Sequence, residues 1–214
     1  VKVVKEENPK NKVGRPKKGE IKEPKLPTIL EQQQTMQTTQ EMLALISTKC
    51  AVGIKQNSKG NKEVWIGGKL HISAVDGDIP ITAFYSGANV HDSSVALPLI
   101  NETSKRVNYF YDLQDAGYDS EIIRNFSKKL GHRAIIDINP KNSKELKEKI
   151  ELQTQEQKKF KLLHLPQNLD IHHYNQRSMV ERVNKYLKED FGCNTIYYQG
   201  ATKVASVLAF GILS

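Results

Sequence analysis

Cysteine is scarce. Cys50 and Cys193 are the only two, and they form no Cys-x-x-Cys pair. That excludes a disulfide framework and a thiolate metal knuckle, and it fits a reducing compartment. Long apolar runs are missing too. The longest, Val204–Leu213, is too short to span a bilayer and reads as a core helix. No secretory signal is expected. Acidic residues are outnumbered: the net charge is +8 and the pI about 9.3, which favours an anionic partner, nucleic acid before membrane. One absence is local. Leu43–Ile54 contains no Asp and no Glu.

With 214 residues the chain can build one real core and not comfortably two. It opens on Val1 and closes on Ser214 directly after an apolar stretch, so a fragment of a longer protein is expected. Residues 1–36 are rich in Lys, Glu and Pro and read as a disordered basic tail or linker. Residues 1–30 hold nine Lys/Arg against four Glu, so +5 of the +8 lies there. Within it, Gly14-Arg15-Pro16-Lys17-Lys18 has the make-up of an AT-hook, in which Arg15, Lys17 and Lys18 would enter a narrow minor groove. A solvated basic linker is the competing reading.

The folded part is expected from residue 42 to 214. Leu43–Val52, Glu63–Val75 and Ile79–Tyr85 read as three strands of an antiparallel meander, with Asp76-Gly77-Asp78 as a tight turn. His91–Asp92–Ser93 opens a helix running to about Lys105, with Asp92 or Ser93 as its N-cap. Val107–Leu113 is a fourth strand, Asp119–Leu130 a helix and Arg133–Ile138 a fifth strand. Residues 141–170 are a charged, helical insertion, and a last helix covers Thr202–Leu213. Three antiparallel strands followed by helix–strand–helix–strand–helix is the order of an RNase H-like α/β fold, a mixed five-stranded sheet with flanking helices. Its first and fourth strands would lie side by side. Asp115, just past the fourth strand and before Gly117, sits where open α/β sheets place function, although a plain turn Asp is common before Gly.

The stretch Tyr174–Lys188, YNQRSMVERVNKYLK, carries the most information. On a helix Tyr174, Arg177, Glu181 and Lys188 share one face, and Met179, Val180, Val183, Tyr186 and Leu187 form an apolar stripe on another. A carboxylate flanked by cations suits a metal ion handling phosphates. The alternatives are ordinary: Arg177–Glu181 and Glu181–Lys185 are i,i+4 pairs, and Ser178-x-x-Glu181 spells a capping box.

The spacing Tyr-x2-Arg-x3-Glu-x6-Lys resembles the C-terminal signature of the bacterial insertion-sequence DDE transposases with a Tyr-Arg-Glu-Lys motif. So do AVGIKQNSKGNKEVWIGGKLHI, DGDIPITAFYSGANVHDS, YDLQDAGYD and IIDINP, in order and spacing, and the GRPKKGE linker before them. The resemblance implies that Asp115 and Glu181 are the second and third catalytic, metal-binding carboxylates, and that Tyr174, Arg177 and Lys188 contact DNA. It implies Mg²⁺ (or Mn²⁺), hydrolysis of a terminal phosphodiester and strand transfer of the freed 3′-OH. Double-stranded DNA, as element ends and target, is the implied partner, with a homodimer compatible and no membrane. A cytoplasmic, nucleoid-associated bacterial setting follows. The family's first carboxylate has no counterpart: its position reads Ala51, and Gly68 stands where Tyr is usual. The implied alternatives are an inactivated copy, a non-catalytic DNA-binding relic or regulator, or another metal nuclease of the same fold.

Overall fold

The computed structural model describes residues 26–56, 60–139, 143–162, 170, 173 and 175–214. Tyr174, Arg15, Lys17 and Lys18 lie outside the described residues, as does most of the basic tail.

The first described elements are two short helices, α1 (Ile29–Gln33) and α2 (Thr39–Ala44). Each is opened by a capping box. Thr28 accepts from the Glu31 N–H and Thr38 from the Glu41 N–H, while each Glu side chain accepts from its threonine's backbone. Two sequence expectations change here. The unfolded tail does not extend to residue 36, because Gln33 is fully buried and donates to the Met42 carbonyl, and Leu30 and Met36 pack on the core. The strand expected at Leu43–Val52 is displaced. Thr39, Met42 and Ile46 are buried at helical spacing rather than in alternation, and strand β1 is Ala51–Gln56.

Strand β2 (Lys62–Val75) pairs antiparallel with β1 and with β3 (Ile79–Gly87), in the order β1-β2-β3. The β2–β3 turn uses two left-handed residues, Gly77 at φ 85° and Asp78 at φ 60°. A 3₁₀ turn at Asp92–Val95 leads into α3 (Ala96–Arg106), followed by β4 (Tyr111–Gln114), α4 (Glu121–Lys129) and β5 (Arg133–Ile136). β4 and β5 pair in parallel, Tyr111 opposite Arg133. A long, exposed α5 (Lys144–Leu162) follows. Helices α6 (Ser178–Glu189) and α7 (Ala201–Leu213) complete the chain.

The five strands therefore form two sheets, not one. The residues expected to run beside β4 are spent elsewhere. Those up to Ala44 are in α2, and Ser47 is held to the end of β3 by the Gly87 N–H at 2.8 Å. Among the described residues β1 pairs only with β2.

Two apolar clusters hold the molecule. One joins Met42, Leu97, Ile100, Ile123 and Ile136 from α2, α3, α4 and β5. The other joins Ile72 of β2 to Val183 and Leu187 of α6, with Ile212 of α7 against it.

Two glycines in the meander lie under aromatic rings. A Cβ on Gly53 would meet the Trp65 indole at 2.5 Å, and one on Gly68 the Tyr85 ring at 2.3 Å. Tyr85 thus occupies the space into which a side chain at 68 would project. Gly68→Ala must displace that ring and is expected to cost about 1–3 kcal/mol, measured by denaturant unfolding. The same substitution in a Tyr85→Ala background should cost much less. Equal costs in both backgrounds would mean that the ring is not what excludes the Cβ.

Candidate active site

Asp115 is placed by the end of β4. Its Oδ1 accepts the Gly117 N–H at 2.8 Å, so it N-caps the short 3₁₀ turn Ala116–Tyr118. The turn therefore leaves the carboxylate exposed at the rim of the β4–β5 pair. Burial raises the Tyr118 hydroxyl pKa first, and the neighbouring Asp92 and Asp115 carboxylates raise it further. Tyr118 thus stays protonated, and a donor, through the whole physiological range.

Asp92 belongs to the same neighbourhood. It takes an ion pair from Lys69 at 3.0 Å, and Lys69 also donates to the Val90 carbonyl at 2.9 Å. His71 is buried on β2, with Nε2 2.8 Å from Ser86 Oγ and Nδ1 4.0 Å from Asp92. Burial lowers its pKa, against the opposing pull of Asp92. The helix-capping role expected of Asp92 or Ser93 falls to His91, whose Nδ1 accepts the Ser93 N–H at 3.3 Å.

Glu181 is placed by α6, which docks through its buried Val183 and Leu187. The capping-box alternative does not hold. The N-cap is Arg177, with no side-chain cap hydrogen bond, so Glu181 lies one position beyond the N3 site a capping box requires. Its side chain is 71% exposed and lies 3.9 Å from the Arg177 guanidinium.

A cavity of about 690 Å³ runs between the last residues of β2 and the whole of β4. Asp115, Glu181 and Arg177 all line it, from the end of β4 and the start of α6. The two carboxylates singled out in the sequence therefore face one space. Lys188 does not line the cavity; it is exposed two turns along the Glu181 face, about 10 Å away.

Ala51 is not part of this wall. It pairs with Gly67, five residues up β2 from Ile72, the first β2 residue on the cavity, a distance of about 17 Å along the strand. Asp76 lines the cavity instead. In the expected order, with the fourth strand beside the first, the Asp76 turn would lie at the far end of the sheet from Asp115. With β4 separated from β1, the β2–β3 turn opens onto the cavity. His173, also on the wall, stacks on Tyr111 at 4.4 Å.

The neighbouring turn residue, Asp78, takes a two-pronged ion pair from Arg182 of α6: Nε to Oδ2 at 2.8 Å and Nη2 to Oδ1 at 2.7 Å. On β4 itself, Asp112 lines the cavity and is buried against Ser127, 3.4 Å from His132 Nδ1. That group ties β4 to α4 and to the residue before β5.

No curated protein and no solved structure matches the chain. A family model described as "Transposase DDE domain" matches residues 34–213, which takes in the meander, the β4–β5 pair, the cavity and α6. With most of its length inside that match, the chain belongs to the transposase DDE domain family.

Proposed function

We propose that the chain is the catalytic domain of a DNA transposase, acting by hydrolysis of a terminal phosphodiester and transfer of the freed 3′-OH to target DNA. The observation that carries this is the meeting of Asp115 and Glu181 on one cavity. An RNase H-like reading is supported by the element order and by the parallel β4–β5 pair; a β1–β4 pairing to complete it is absent among the described residues.

Asp115 and Glu181 would hold Mg²⁺ or Mn²⁺. The donor chemistry fits, since magnesium takes oxygen ligands and needs only one or two carboxylates beside water. When bound, the ion supplies Lewis acidity at a phosphodiester. Arg177 offers a fork of donors to a phosphate beside Glu181, and Lys188 extends that contact along the helix. Tyr174 would orient the strand. The ligand number is short: among the described residues no group of three His, Cys, Asp or Glu is placed to hold a metal. That shortfall favours a second reading, a relic or regulator that binds DNA without cutting it. Metal-dependent nicking of duplex DNA carrying the element ends by the purified protein supports the first. Binding without nicking at any Mn²⁺ concentration supports the second.

Both readings place the protein on DNA, in the cytoplasm, with the basic tail against the phosphates, and a homodimer is compatible with either. Among the described residues no helix is long and apolar enough to cross a membrane. Removing residues 1–25 should weaken DNA binding and flatten its salt dependence by about 0.9 in log–log slope for each phosphate the tail neutralises. The cut belongs at 25 because α1 packs on the core. An unchanged slope in a salt titration excludes the tail from the DNA interface.

A further inference from the structure

Glu181 sits in the first turn of α6, ahead of the buried anchors of that helix. Val183 and Leu187, the buried anchors, hold the helix onto β2 further along. The N-terminus has no side-chain cap. A long-range hold on it comes from Arg182, next to Glu181 in sequence and about 100° around the helix from it. Arg182 reaches a residue 104 positions away, Asp78, through both Nε and Nη2 at 2.8 and 2.7 Å. A two-pronged guanidinium–carboxylate contact fixes direction as well as distance, which a single ammonium does not.

The other end of the pair is stiff. Asp78 stands at φ 60° beside Gly77 at φ 85°, a left-handed pair locked by the β2–β3 hairpin, and its side chain is only 22% exposed. Asp tolerates this backbone better than most residues. The Arg182 hydrogen bonds hold the Asp78 carboxyl below its ordinary value, against the opposing effect of burial. A depressed carboxyl keeps its partner at neutral pH and loses it only as pH falls through the lowered value. Rotation matters here. Turning a helix by 20° sweeps a side-chain end about 5–6 Å from the axis through about 2 Å, more than a catalytic carboxylate tolerates.

We infer that the Arg182–Asp78 ion pair positions Glu181, setting the rotation of α6 so that this carboxylate faces the cavity shared with Asp115. The inference rests on the reading of Glu181 as a metal ligand. Neither Arg182 nor Asp78 touches substrate on this account, and both act through Glu181.

The test compares the parent with Arg182→Gln, Asp78→Asn, the double variant and Glu181→Gln. Mn²⁺ binding is followed by electron paramagnetic resonance, and hydrogen exchange is followed at the amides of residues 182–185. Each single variant should weaken Mn²⁺ binding about tenfold, as supporting partners of metal ligands do. The double variant should be no worse than either single one, because the two residues act as a unit. Arg182→Lys keeps the charge but not the fork and should rescue little. Full Mn²⁺ affinity in Arg182→Gln, where Glu181→Gln loses it, overturns the inference. If Glu181→Gln binds Mn²⁺ like the parent, the metal reading has failed and exchange decides the tether. Faster exchange in both single variants upholds it, and parental exchange overturns it.

Discussion

Asp115→Asn and Glu181→Gln should each reduce metal-dependent nicking by about 10²-fold or more, roughly 3 kcal/mol of barrier, with little change in unfolding midpoint. The stability part follows from exposure: both side chains stand at the surface and neither belongs to an apolar cluster. Asp115 does cap the turn at Gly117, and Asn retains an oxygen for that bond, so the substitution separates charge from capping. Ala51→Asp is the informative contrast. Its strand position, paired with Gly67 away from the cavity, predicts no gain in Mn²⁺ affinity. Asp76→Asn, on the cavity wall, should lower that affinity. Parental nicking in both Asp115→Asn and Glu181→Gln would remove the cavity from the chemistry. A gain in Ala51→Asp would mean that β1 approaches β4 when DNA and metal are present.

Strands β2 and β3, their turn and the helices from α3 onward were legible because each rests on local signals. Alternation marks β2 and β3, Asp76-Gly77-Asp78 marks the turn, and the apolar stripe of α6 marks Val183 and Leu187 as buried. The first strand was misplaced because a β-branched, apolar run at Leu43–Val52 outweighed a signal that was there to be read. Thr28-x-x-Glu31 and Thr38-x-x-Glu41 are both capping boxes, and the structure uses both. Ser178-x-x-Glu181 has the same pattern and is not used, since α6 begins one residue too early for Glu181 to occupy N3. Three copies of one motif thus had two outcomes, decided by tertiary anchoring. The pairing of sheets was not legible at all. Which strand neighbours β4 depends on contacts tens of residues apart, and the place of Asp76 on the cavity follows from that pairing. Asp115 and Glu181 were legible because their spacing resembles a family signature, whereas Arg182 has no local mark that distinguishes it from a surface cation.

Leu97→Ala should be among the most damaging single substitutions in the fold, costing about 2–5 kcal/mol. Leu97 is fully buried in α3 and packs in the cluster with Met42, Ile100, Ile123 and Ile136, so its removal leaves a cavity that four elements would have to close together. For a domain near this size each kcal/mol lowers the midpoint by about 2–4 °C, so a fall of roughly 5–15 °C is expected in a thermal melt. Leu213→Ala, at 82% exposure, should change stability by no more than about 0.5 kcal/mol and controls for loss of apolar area at the surface. Leu187→Ala should cost as much as Leu97→Ala but act elsewhere, because Leu187 belongs to the cluster that carries α6 and Glu181. Residues of both clusters line one cavity. Below the midpoint, Leu187→Ala should therefore weaken Mn²⁺ binding by loosening Glu181, and Leu97→Ala should do so by loosening the β4 end that carries Asp115. The double variant should lose stability additively, within about 0.5 kcal/mol, if the clusters are independent. A penalty well below the sum would show that the cavity's two walls unfold as one unit.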